Sequence, residues 1–164
     1  MGVFERFYNF ALRFLSYRPR SEKEVRDRLK IKYKKSNLKD LKLIIDRVIE
    51  RLKKHKFIND EEFAKWWIES RLRFKPRSLR LIKLELKQKG IDSETINKII
   101  NDKGLMINDL EQAKKLVEKR IVRLKGLDKQ KVYEKLGRFL ASKGFNWDTI
   151  KKTIDPIKSQ DGDF

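Results

Sequence analysis

Apolar residues recur at three- and four-residue spacing along almost the whole chain. In the first such run they occupy one face of a helix: Phe4, Phe7, Tyr8, Ala11, Leu12 and Leu15. Similar runs follow, each bounded by a capping residue, a glycine or a proline. No segment alternates apolar and polar residues as a half-buried strand does. The spacing therefore predicts an all-α fold.

Helix-start signals divide the first part of the chain. Ser21 and Glu24 have the SxxE spacing of a capping box, in which the hydroxyl and the carboxylate each accept from a backbone amide. We expect a second helix here, with Val25 and Leu29 on its apolar face. A third helix then carries a longer stripe: Leu38, Leu41, Ile44, Ile45, Val48, Ile49 and Leu52.

A second set of three helices is predicted next. Asn59 or Asp60 begins the first of them, Ser78 begins the second, and Gly90 ends that second helix in the left-handed conformation. Asp92 begins the third. The apolar stripes of the first and third helices contain Phe63, Trp66 and Trp67, and then Ile96, Ile99 and Ile100.

The third set has weaker signals. Asn108 with Glu111 forms a capping pair, Asp128 begins the following helix, and Gly144 ends it. The closing segment "FNWDTIKKTI" predicts a short helix that ends before Pro156, since proline disrupts a helix interior.

Two short phrases repeat along the chain. "RPRS" at residues 18–21 returns as "KPRS" at residues 75–78, and the "KG" at residues 89–90 aligns with the "KG" at residues 143–144. Together with the helix pattern, they predict three helical repeats over residues 1–59, 60–107 and 108–156, with a flexible acidic tail at 157–164. Stacked repeats of this kind predict an elongated, curved helical array.

Charge narrows the choice of partner. The chain has 43 Lys and Arg against 24 Asp and Glu, a formal net charge of +19, and residues 1–59 hold 18 basic and 7 acidic side chains. Such a field attracts polyanions, whether nucleic acid, an anionic membrane or an acidic protein surface. We expect contact first in the first repeat.

Several classes of protein do not fit the sequence. There is no cysteine, which excludes disulfides and thiolate ligands. No stretch reaches the ~18 apolar residues that cross a bilayer, and the N-terminus lacks the apolar run of a secretory signal. The sequence therefore predicts a soluble, cytoplasmic protein that binds no membrane.

The sequence contains no recognisable active site. Motifs for zinc hydrolases, phosphate-binding loops and serine nucleophiles do not occur. His55 lies in a basic run at a helix end, and Asp60, Glu61 and Glu62 lie at a helix start, where carboxylates interact with the helix dipole. We therefore predict no catalytic residue, no metal site, no cofactor and no small-molecule substrate.

The tryptophans allow two interpretations. Trp66 and Trp67 could stack on nucleic-acid bases, but their place on or beside an apolar stripe favours the core, with Trp67 the more buried. Trp147 follows a capping asparagine, and we expect it to fasten the last helix to the third repeat.

Basic residues around the two phrases are the candidate contact residues. Arginine is suited to this role because its planar fork binds phosphate or carboxylate through paired donors. A solvated surface role is at least as good an interpretation for any single one, but their recurrence in two repeats favours contact. They are Arg18, Arg20, Arg26, Arg28, Arg71, Arg73, Lys75, Arg77 and Arg80.

Four segments, in order, resemble the RecX family of recombinase regulators. They are "ALRFLSYRPRSEKEVRDRL", "VIERLKKHKFINDEEFAKWWIESRLRF", "SLRLIKLELKQKGIDSETI" and "KLGRFLASKGFNWDTI", and the resemblance runs over residues 7–154. The chain departs from the family where Trp66 and Trp67 replace the tyrosine often found after "FA". The third repeat is the least typical as far as Leu127.

The resemblance implies a regulator without enzymatic activity or cofactor. RecX proteins bind the groove of the RecA filament on single-stranded DNA and inhibit its ATPase, strand-exchange and coprotease activities. The expected partners are thus a RecA filament and DNA phosphates, in homologous recombination, DNA repair and the SOS response. We expect the protein to act as a monomer.

Two other functions remain open from the residues themselves. A basic helical module could bind single-stranded nucleic acid without any recombinase, and it would then bind DNA equally with and without a filament. An enzyme such as a nuclease is the weakest alternative, because no ligand or nucleophile set occurs.

Overall fold

A computed structural model describes residues 2–34, 40–101 and 108–158, with only the backbone of Lys158. Within these ranges the chain forms nine α-helices, one short 3₁₀ segment and no strand, which confirms the all-α prediction. Leu38 and the tail residues 159–164 lie outside the described residues. The helices are α1 Val3–Ser16, α2 Glu22–Tyr33, α3 Leu41–Lys54, α4 Asp60–Phe74, α5 Leu79–Gln88, α6 Ser93–Asn101, α7 Asp109–Ile121, the 3₁₀ segment Val122–Leu124, α8 Lys129–Ser142 and α9 Trp147–Lys158.

One compact unit comprises Met1–Trp67 and Leu86–Ile99. In it, α1, α2 and α3 pack against one another around a buried core. The α1 stripe supplies Phe7, Tyr8 and Ala11, as predicted, and the Tyr33 ring stacks on Phe7 with centroids 3.6 Å apart. The rest of this core is Val25, Leu29, Ile45, Val48, Ile49, Leu52 and Ile58.

A second compact unit comprises Ile68–Glu85 and Ile100–Phe164. Its core lies among α7, α8 and α9. The buried residues follow the helical spacing of the third set: Ala113, Val117, Leu124, Val132, Leu136, Leu140, Phe145, Ile150 and Ile154. The predicted repeat boundaries and the elongated, curved arrangement stay predictions.

Most of the predicted helix starts and ends are confirmed. Ser21 and Glu24 form the complete capping box, and each predicted glycine, Gly90 and Gly144, has φ of +86°. The other confirmed caps accept first-turn amides through Asn59, Ser78, Asp92, Asn108 and Asp128. Lys56, after α3, also has a positive φ, 59°, which the sequence did not indicate.

The tryptophans of α4 differ in burial as predicted. Trp67 is buried at 9% exposure, whereas Trp66 is only partly buried. The other buried apolar residues within residues 60–101 are Phe63, Ala64, Ile68, Ile82, Leu86, Ile91, Ile96 and Ile99.

Two predictions about the last helix are wrong. α9 continues through Pro156 to Lys158, because buried Ile154 and the packed Ile157 hold the last turn against the core despite the backbone bond that proline removes. Trp147 does not fasten the helix, since its side chain is 62% exposed. Phe145, two residues earlier, is buried in the core instead.

Candidate polyanion interface

The first corner, residues 18–21, turns the chain from α1 into α2. Its serine is fully buried and bonded on both sides. The Ser21 hydroxyl accepts from the Glu24 amide at 3.2 Å and donates to the carbonyl oxygen of Lys89 at 2.7 Å. The corner is thereby attached to the end of α5.

Several basic side chains lie around the carboxylate of Glu24 at this corner. Its carboxylate accepts from Arg18 and from the Lys89 ammonium, each at 2.7 Å, and the Arg20 guanidinium lies 3.9 Å away. Burial alone would raise the pKa of Glu24, but the hydrogen bonds from Arg18 and Lys89 hold it below its ordinary value. Two predicted contact residues thus take part in an internal cluster.

The same two arginines lie against aromatic rings. The Arg20 guanidinium lies 4.1 Å from the centre of the Phe14 ring. Burial, and then repulsion from Arg18, lower the pKa of Arg20. Arg18 lies 5.8 Å from the ring centre of Trp66 and 6.0 Å from that of Trp67. Cation–π contact adds to the ion pairs in fixing both side chains.

The two arginines of α2 differ in their surroundings. Arg26 bonds to Glu22 at 2.7 Å and to Asp46 at 2.5 Å, which connects α2 to α3. Arg28 is exposed, with its guanidinium 5.7 Å from the Phe14 ring centre. Arg28 is therefore the more accessible of the two to a ligand.

The second corner, residues 75–78, repeats this plan with a different carboxylate. The Ser78 amide donates to the carbonyl oxygen of Lys143 at 3.1 Å, and its hydroxyl accepts from Leu81. The buried carboxylate of Glu85 accepts from Arg71 at 2.7 Å and from Arg77 at 2.5 Å. Here too, arginines next to the phrase are held internally.

The nine candidate contact residues thus form two groups. The structure gives ion pairs to Arg18, Arg20, Arg26, Arg71 and Arg77. It leaves the following exposed: Arg28, Arg73, Lys75 and Arg80. The contact role of both groups stays a prediction, and among the described residues the second group has no ion pair.

Asp60 and Asp109 have a role that the sequence interpretation missed. Asp60 accepts from the Glu22 amide at 2.8 Å, and Asp109 accepts from the Leu79 amide at 2.8 Å. Each carboxylate thus caps the second helix of the preceding set of three. The dipeptide Asn-Asp at a helix start, residues 59–60 and 108–109, was the available signal, although the same dipeptide also occurs at residues 101–102.

The two glycines lie close to the same corners. A β-carbon on Gly90 would lie 2.7 Å from the Lys23 Cβ, and one on Gly144 would lie 2.6 Å from the Ser78 Oγ and 2.9 Å from the Leu81 Cβ. All three distances are too short for alanine without movement of the neighbour. At residues 89–90 and 143–144, "KG" is therefore the place where a helix end meets a corner, whereas a β-carbon on Gly126 of the "KG" at residues 125–126 would have no neighbour within 4 Å.

In residues 2–34, 40–101 and 108–158, no three His, Cys, Asp or Glu side chains are grouped so as to hold a metal ion. None of the helices in these ranges has the length and apolar character needed to span a bilayer. His55 is exposed at the end of α3.

Three-helix sets joined at matching corners define a tandem helical-repeat protein. Family models for the first, second and third three-helix domains of RecX match residues 8–34, 59–99 and 108–154. The chain belongs to the RecX family.

Relatives span nearly the whole chain. It is 32% identical to the regulatory protein RecX of Clostridioides difficile, over 93% of this chain and 68% of that protein. It is 34% identical to the one of Chlorobium phaeobacteroides, over 92% of each, and 34% identical to the one of Bacillus subtilis, over 92% of this chain but 54% of that protein. These relatives are named as regulatory proteins.

A solved structure has the same fold. The crystal structure of RecX from Lactobacillus salivarius matches with a TM-score of 0.68 and 27% identity, over 94% of this chain and 96% of that one. The prediction of tandem helical repeats is confirmed by this match and by the three domain models.

Proposed function

We propose that this protein regulates RecA by binding its filament on single-stranded DNA and inhibiting its ATPase, strand-exchange and coprotease activities. The observation that carries the proposal is the match of all three RecX domain models, with relatives named regulatory protein RecX. The protein would thereby modulate recombination, DNA repair and the SOS response in the cytoplasm, as a monomer.

The mechanism requires no catalysis. A ligand shifts an equilibrium only by its differential affinity for the two states. The protein would bind the slowly hydrolysing or the disassembling state of the filament more tightly than the active state. The rate of ATP hydrolysis by the filament then falls because the population of active filament falls. No cofactor or small-molecule substrate of this protein takes part.

The exposed cations are the contact residues that this proposal favours. Arg73 and Lys75 lie at the end of α4 and the start of the second corner, and Arg80 lies in the first turn of α5. Each is free to meet a DNA phosphate or a filament carboxylate. Arg28 offers the same at α2. The paired arginines instead hold the corners on which these side chains are mounted.

The direct test measures DNA-dependent ATP hydrolysis by the cognate RecA while this protein is titrated. We expect the rate to fall to a low plateau as the filament is saturated. An unchanged rate at saturating protein would exclude the proposal.

A charge-reversal variant tests the contact residues. Replacing Arg73, Lys75 and Arg80 together by Glu should weaken inhibition while leaving helical content and urea stability intact, because none of the three has an internal ion pair among the described residues. A variant with the same charge change on another exposed face, K114E/K115E/K119E on α7, is the control. Equal losses in both variants would mean that only net charge matters.

The second candidate, a nucleic-acid-binding module independent of RecA, is supported by the net charge of +19. Its affinity for single strands should fall as the salt concentration rises. The slope of log affinity against log salt concentration should be about −0.7 for each phosphate contacted. Tight binding to bare strands without any effect on RecA would favour this candidate.

A further inference from the structure

Both corners are preceded by a highly exposed aromatic ring. Tyr17 is 83% exposed and Phe74 is 69% exposed. Each lies four residues before the serine that caps the next helix, so the two rings occupy equivalent positions in the first and second repeats.

The fold does not account for these rings. Tyr17 is the C-cap of α1 and Phe74 is the last residue of α4, and neither is among the buried residues of the chain. The third repeat shows that the corner does not need an exposed ring. There, Leu124 lies four residues before the cap Asp128 and is buried at 6% exposure.

Exposed cations accompany the rings. The Arg73 guanidinium lies 5.1 Å from the Phe74 ring centre, and Lys75 follows it. Arg13, one turn before Tyr17, is exposed on α1. A ring for the base and a cation for the phosphate is the combination that binds unpaired nucleic acid without sequence preference.

The corners hold the rings in place. Proline follows each ring by two residues, which fixes one backbone angle and ends the helix. Beyond the proline, Arg20 and Arg77 lie beside Glu24 and Glu85 within their own corners. A ring mounted on such a turn loses little backbone freedom when a base stacks on it.

We propose that Tyr17 and Phe74 each stack on an unpaired base of single-stranded nucleic acid. This inference rests on the proposed function, in which the strand is the one at the filament, and it adds base contact to phosphate contact. The competing occupant, an apolar pocket on a protein partner, is separated from it by the test.

The test compares two labelled oligonucleotides of equal length by fluorescence anisotropy. One is oligothymidylate, and the other is an abasic backbone with the same phosphates. Tyr17→Ala and Phe74→Ala should each weaken binding to oligothymidylate by about 5- to 150-fold, as expected for the loss of one stacked base. Binding to the abasic strand and the salt slope on oligothymidylate should not change.

Matched variants separate stacking from general apolar contact. Tyr17→Phe and Phe74→Tyr should bind as the natural protein does, whereas Tyr17→Leu and Phe74→Leu should bind as weakly as the alanine variants. Trp147→Ala removes another exposed ring, 62% exposed and outside both corner phrases in the sequence, and should have no effect.

Three results would overturn the inference: an equal loss on both strands, full affinity in the leucine variants, or no binding of the natural protein to oligothymidylate. The RecA ATPase assay distinguishes this failure from that of the proposed function. Inhibition without base-dependent binding would leave the regulatory function standing and exclude stacking. Base-dependent binding without inhibition would support stacking and exclude the regulatory function.

Discussion

Replacing Gly90 by alanine tests whether a corner really requires a missing side chain. Gly90 has φ of +86°, and an added β-carbon would meet the Lys23 Cβ at 2.7 Å and its Cδ at 2.9 Å. Lys23 cannot turn its Cβ away, because this atom is fixed by the backbone of α2. The substitution therefore forces two helices apart in addition to straining one residue.

The loss of stability in Gly90→Ala has two parts, backbone strain and steric overlap, and Gly126→Ala measures the first part alone. Gly126 has φ of +81° but no atom within 4 Å of its added β-carbon. Alanine there meets only the left-handed strain of about 1–2 kcal/mol, offset by about 0.4–1 kcal/mol from a less disordered unfolded chain. At Gly90 the overlap should add about 1–3 kcal/mol. We thus expect losses of about 1 kcal/mol for Gly126→Ala and about 2–4 kcal/mol for Gly90→Ala.

Equilibrium urea unfolding followed by far-ultraviolet circular dichroism measures both losses. Gly144→Ala, which meets Ser78 and Leu81, should resemble Gly90→Ala. If Gly90→Ala were no more destabilising than Gly126→Ala, the close approach of "KG" to the corner would not contribute to stability.

Three further predictions concern charge and backbone conformation. Glu85→Gln should lower the free energy of unfolding by about 2–3 kcal/mol in urea, because Arg71 and Arg77 lose a buried counter-charge, and an unchanged midpoint would count against this. The pKa of Glu24 is lowered in the fold, so its contribution to the free energy of unfolding is full above the ordinary value of 4.5 and is lost as pH falls through the lower folded value. Glu24→Gln should therefore flatten the acid side of a curve of stability against pH. Identical curves for the two proteins would refute this prediction. Lys56→Gly should increase the free energy of unfolding by up to about 1 kcal/mol and raise the melting temperature, because a residue with a β-carbon is strained at φ of 59°. A loss of stability would contradict this strain.

Local features could be predicted from the sequence because neighbours in the chain determine them. The box of Ser21 and Glu24 spans one helical turn, and its serine and carboxylate can meet only if that turn forms. The left-handed Gly90 and the buried face of α1 follow from spacing in the same way. The helices and most of their bounds come from such signals.

The state of the basic residues could not be predicted, because their partners are distant in sequence. Lys89 is 65 positions from the carboxylate of Glu24 that it contacts. The sequence favours an outward position for every arginine around the corner, yet burial of one glutamate draws several of them inward. Replacing Arg71 and Arg77 by Glu would thus damage folding as well as any contact.

The errors at the last helix have a related cause. Local rules end a helix at Pro156 and predict that Trp147 fastens this helix to the third repeat. Packing of Ile154 and Phe145 decides both positions instead, since burial of large side chains outweighs one backbone bond. Tertiary competition of this kind leaves no mark within a short window of sequence.

The Asn-Asp dipeptide has a consequence for how this protein could be cut and rejoined. Asn59 caps α4, the helix that follows it, whereas Asp60 accepts from the first amide of α2 in the preceding set. A transplantable unit therefore starts on the N-terminal side of Asn59 or Asn108, and brings with it the cap that its upstream neighbour needs. The second helix of such a unit then depends on an aspartate of the piece that follows it, whereas a graft cut at the proline phrases keeps Glu22 and Asp60 together.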